Sequence, residues 1–70
     1  MKRTREEVEM RCSFILGDKK VLYLVSKSSS PTAAYDMIFS KTQDVKKAKA
    51  GRWLAILRRD HEVEYQKLVR

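Results

Sequence analysis

The sequence predicts an α+β domain: an N-terminal β-hairpin packed on a short helix and a long C-terminal amphipathic helix. Three observations lead there. Apolar residues alternate from Val8 to Leu16 with a period of two. The run Val21-Leu-Tyr-Leu-Val25 is rich in β-branched and aromatic residues. Residues 44–70 contain no proline and place Ala50, Leu54, Leu57, His61, Tyr65 and Leu68 at spacings of three and four, a helical stripe. An all-α, three-helix arrangement is the alternative, because Thr4-Arg-Glu-Glu7 has the pattern of a helix capping box.

Residues 1–7 read as a basic arm carrying Lys2, Arg3 and Arg5. The hairpin occupies residues 8–25. Val8, Met10, Cys12, Phe14 and Leu16 form one row, interleaved with Glu9, Arg11, Ser13 and Ile15, and Gly17-Asp-Lys-Lys20 supplies turn chemistry. Pairing Leu16 with Val21 sets Phe14 opposite Tyr23 and Cys12 opposite Val25 on one face, with Ile15–Leu22 and Ser13–Leu24 on the other. A two-stranded ribbon is marginal alone, so helices or another copy must cover it.

Residues 26–30 are a polar connector. Ser30-Pro31 reads as an N-cap followed by proline at the first helical position, where its missing N–H costs nothing. The short helix spans 31–40 with Ala34, Tyr35, Ile38 and Phe39 on overlapping faces. Thr42 and Asp44 compete to cap the long helix 44–70, and one bent helix from Pro31 to the end is the other reading of this boundary.

Seventy residues make one small domain, and such a domain nets only about 3–5 kcal/mol from its core. Cys12 is the one cysteine and His61 the one histidine, which excludes an intrachain disulfide and a Cys/His zinc cluster. Stability shared with a second copy is therefore an expectation. Residues for that contact are Leu54, Ile56, Leu57, His61, Tyr65 and Leu68, since Ile56 and Val63 make the helix apolar on a second side. No apolar run is long enough for a bilayer. Glu6, Glu7 and Glu9 interrupt any signal-peptide pattern, so the expected location is cytoplasmic.

Net charge is +7 and unevenly spread. Between Lys41 and Arg59 stand seven basic residues and one acid, Asp44. Such a block attracts polyanions or an acidic protein. Its candidate contacts are Lys46, Lys47, Lys49, Arg52, Arg58 and Arg59, with Trp53 among them able to stack on a base or fill a partner's pocket. The bland reading is a solvated helix face around a core tryptophan.

Site chemistry is sparse. Nothing brings Cys12 to His61, and Cys12 reads as an inert buried thiol. Asp60, Glu62 and Glu64 read as solvated helix charges, and the two glycines, Gly17 and Gly51, make no phosphate loop. The sequence therefore points away from an enzyme and implies no cofactor or metal. Two function classes remain: a nucleic-acid binder that contacts phosphates, and a protein-interaction module (regulator, adaptor or inhibitor) that docks through its long helix.

Overall fold

The computed structural model describes residues 3–69, apart from the side chains of Arg3, Thr4, Arg5, Glu7 and Val8. Among the described residues there are five α-helices and no strand. They are α1 (Arg3–Cys12), α2 (Lys19–Lys27), α3 (Pro31–Thr42), α4 (Val45–Asp60) and α5 (Glu62–Val69), with a 3-10 turn at Ser13–Ile15 between the first two. The hairpin expectation is therefore wrong, and the all-α alternative holds, with five helices among the described residues in place of three. Met1, Lys2 and Arg70, named in the arm and at the end of the long helix, lie outside the described residues.

The alternation from Val8 to Leu16 misled because a second pattern is superposed on it. Cys12 and Ile15 are fully buried and Leu16 packs beside them, at helical spacings of three and four. Met10 and Phe14, which belong to the same period-two row, are mostly exposed. The strand-like run behaves likewise: Val21, Leu24 and Val25 are buried at i, i+3 and i+4, while Tyr23 faces out. β-propensity mostly measures fit to a half-buried pleated surface, and helical packing overrides it here.

Turn chemistry landed where expected but joins helices rather than strands. Asp18 caps α2, its Oδ1 accepting from the Val21 amide at 3.2 Å. Ser30 caps α3, its Oγ accepting from the Ala33 amide at 3.1 Å, with Pro31 at the first helical position. Gln43 ends α3 in the left-handed region at φ 56°, and Asp44 then caps α4 by accepting from the Lys47 amide at 3.1 Å. Between the two candidate caps of the long helix, Asp44 is the one used.

The long helix is two helices. At His61 (φ −142°, ψ 68°) the chain leaves helical geometry, the His61 amide closing α4 on the Leu57 carbonyl at 2.6 Å. The His61 carbonyl accepts from the Tyr65 amide at 3.0 Å and opens α5. An unbroken helix over residues 44–70 would run about 40 Å, longer than the molecule's 32 Å axis. The break folds α5 back on α4 and α1, which buries Tyr65.

Helix α4 is the centre of the fold and touches α1, α2, α3 and α5. Its inward side carries Ala48, Ala50, Gly51, Leu54, Ala55 and Leu57. The α3–α4 seam is tight at Gly51, where an added Cβ would run into Ile38 Cδ1 and sit 3.6 Å from Val25 Cγ2. Ile15, Val21, Val25, Ile38, Leu54 and Leu57 make the fully buried apolar centre. No helix among the described residues is long and apolar enough to cross a membrane.

Candidate nucleic-acid interface

Burying one side of α4 decides what the other presents. At about 100° per residue, Val45, Lys49, Arg52, Ile56 and Arg59 fall within one outward strip, with Lys46, Trp53 and Asp60 along its margin. Lys46, Lys49, Arg52 and Arg59 are exposed, and Asp60 is the one acid of that strip. The outward face of the central helix is thus a cationic ridge whose orientation is set by the core beneath it.

Sequence-adjacent cations of the predicted block have different roles. Lys47 lies 3.3 Å from the Asp18 carboxylate and ties α4 to the cap of α2. The Val21 amide, helped by Lys47, holds Asp18 below the usual carboxylate range. Arg58 is half-buried: its Nη1 donates to the carbonyls of Val25 at 3.2 Å and Ser28 at 3.3 Å, closing the C-terminal end of α2. Arg59 stays outside and donates from Nε and Nη2 to Asp60 at 2.8 and 3.2 Å. That pairing lowers the Asp60 pKa and raises that of Arg59.

Aromatic rings flank the ridge. Trp53 is half-buried, with the Arg11 guanidinium 5.1 Å from its centroid, so it bridges α4 to α1 as well as reaching solvent. On the opposite margin the Arg52 guanidinium lies 5.9 Å from the Tyr35 ring. Tyr35 and Phe39 stack at 6.2 Å with planes 19° apart. These two aromatics were read from the sequence as core alone; their i, i+4 spacing was the available signal. The sequence also gave no warning of a cleft of about 410 Å³ where Ser28, Ser29, Ser30 and Pro31 meet Arg58 and Arg59.

The residues expected to join two copies lie mostly inside one. Leu54 and Leu57 are fully buried, Tyr65 is nearly so, and Ile56 and Leu68 are half-buried. His61 is exposed at the break between α4 and α5. Burial raises the Tyr65 hydroxyl pKa, opposed by the nearby Arg58 charge.

Cys12 is sealed. Its Sγ donates to the Ala50 carbonyl at 3.3 Å, and burial pushes its pKa to about 12 against the lowering effect of Arg11. A thiol so protonated is a poor nucleophile and a poor metal ligand. Among the described residues no group of three His, Cys, Asp or Glu side chains is placed to hold a metal ion. Comparison with protein-family models, with curated proteins and with solved structures found no match to this chain.

Proposed function

We propose that this chain is a small, non-enzymatic nucleic-acid-binding protein that contacts backbone phosphates through the outward ridge of α4. The observation that carries the reading is the display of Lys46, Lys49, Arg52 and Arg59 along one exposed face of a helix whose other face is the core. Point charges on a rigid support attract phosphates without reading bases, and each contact releases counterions. Four contacts imply a log–log salt slope of about −3.6 on duplex DNA. Replacing Lys49 and Arg52 with Ala should flatten that slope by about two units, with the circular dichroism spectrum unchanged. Absence of binding at ~0.15 M salt sinks the proposal. A single cysteine, Cys12, buried and outside any disulfide, fits a cytoplasmic setting for such a protein.

A second reading, docking on an acidic protein partner, draws support from apolar side chains left outside: Met10, Phe14 and, on α5, Val63. The same ridge would then steer association, and Lys49→Ala with Arg52→Ala would slow the on-rate more than it speeds dissociation. A homodimer, on either reading, would have to use side chains left outside, such as Ile56, Val63 or Leu68, rather than the core leucines.

A further inference from the structure

The seam between α3 and α4 offers more than charge. Arg52 and Arg59 stand two turns apart on α4 and only about 20° apart around it, so they rise along one edge. Pro31 and Tyr35 stand one turn apart on α3 and share the edge that faces it. The edges meet twice. Arg59 and Pro31 line the serine-walled cleft together with Arg58. Farther along, the Arg52 guanidinium lies 5.9 Å from the ring of Tyr35, which stacks on Phe39. The two meeting points are separated by about 6–10 Å along the helices, a span that one or two nucleotides of an extended strand cover.

Resting on the phosphate-binding reading above, we propose that this seam is a track for single-stranded nucleic acid. A backbone phosphate sits in the cleft against Arg59 and the hydroxyls of Ser29 and Ser30, with Arg58 as its wall, and an unpaired base stacks at the Arg52–Tyr35 pair. The chemistry is distinct from that of the ridge alone. The seam sets an aromatic ring beside a guanidinium, and unstacked bases pack on aromatic rings and guanidinium planes alike. A duplex keeps its base faces inside and can use only the phosphate contacts. The Asp60 carboxylate engages the Nε and Nη2 edge of Arg59, which leaves the edge carrying Nη1 for a phosphate. Glu62 on the rim weakens the field of the cleft, so the stacking step supplies the discrimination.

The test compares fluorescein-labelled dT20 and rU20 with a 20-base-pair duplex by anisotropy at ~0.15 M salt. Single strands should bind about tenfold tighter than the duplex. Tyr35→Leu should lose about tenfold on single strands and nothing on the duplex, whereas Tyr35→Phe should keep the preference. Because Tyr35 also packs on the core, a second measurement uses the unaltered protein: 5-iodouracil placed in dT20 should photo-crosslink to the α3 peptide holding Tyr35 and Phe39. Equal affinity for strand and duplex, or crosslinks confined to other peptides, overturns the track and leaves the phosphate-binding reading standing. Failure of every oligonucleotide to bind overturns both.

Discussion

Arg58 and Arg59 are neighbours in sequence and opposites in the fold. Arg58 lies on the inward side of α4, near its C-terminal end, and joins two carbonyls at the end of α2. Arg59 lies about 100° around the helix, in solvent beside Asp60. The same contrast separates the whole of α4 into a side of Ala, Gly and Leu that packs on the other helices and a side of Lys and Arg that meets water. A charge block read from composition is thus two populations: cations that hold helices together and cations available to a ligand. Lys47 and Arg58 belong to the first, Lys46, Lys49, Arg52 and Arg59 to the second.

The contrast breaks most visibly at the core. Leu54→Ala should cost about 2–5 kcal/mol through lost burial and a cavity. A domain of this size holds little more than that in reserve, so thermal unfolding followed by circular dichroism should show a protein largely unfolded at 37 °C. An unshifted melting curve would show that the inward face of α4 does not carry the fold.

The two arginines give the sharper test. Arg58→Ala leaves the carbonyls of Val25 and Ser28 without their charged donor, and a loss of about 1–3 kcal/mol is expected. Arg59→Ala should leave the melting temperature where it was and reduce the salt slope for nucleic acid by about one unit. Reversal of that pattern would mean that the assignment of inward and outward cations is wrong.

Gly51 probes the tightness of the α3–α4 seam. Alanine normally favours a helix by about 1 kcal/mol over glycine, but here its Cβ meets Ile38 in a fully packed core. Overpacking of that kind costs about 1–3 kcal/mol, so Gly51→Ala should lower stability modestly despite the better propensity. A stabilised variant would indicate that Ile38 has room to turn away.

The smallest effect is expected from pH. The Val21 amide and Lys47 depress the pKa of Asp18 in the folded chain. A depressed carboxyl pKa contributes stability that is fully present above the unfolded value of about 3.9. That contribution fades as pH falls through the folded value. Denaturant midpoints should therefore hold steady from neutrality down to about pH 5 and decline in more acid solution. Asp18→Asn should remove Asp18's share of the decline while keeping a competent helix cap.

Much of the local structure was legible in the sequence. Ser30-Pro31 and Asp44 were read as helix starts and serve as such, because a short side-chain oxygen before a helix satisfies an amide within three residues. Gly17–Lys20 was read as the turn of a hairpin; Asp18 instead caps α2, and Lys19 and Lys20 already belong to that helix. The helical stripe of residues 50–57 was also plain, and so was the basic block. Residues 8–25 were misread because short apolar runs fit periods of both two and three to four, and local propensity favoured the wrong one.

By itself, then, the sequence determined where α3 and α4 start, which residues of the C-terminal half are apolar, and that the chain carries a concentrated positive charge. Those properties depend on contacts within a turn or on composition. Tertiary structure alone decided that Val8–Val25 is helical, that the chain bends at His61, and which cations face inward. Each of those outcomes depends on burying one helix against another, an energy shared by residues far apart in the chain. Arg58 is the clearest case: its partners Val25 and Ser28 lie some thirty positions away, and no local pattern marks them.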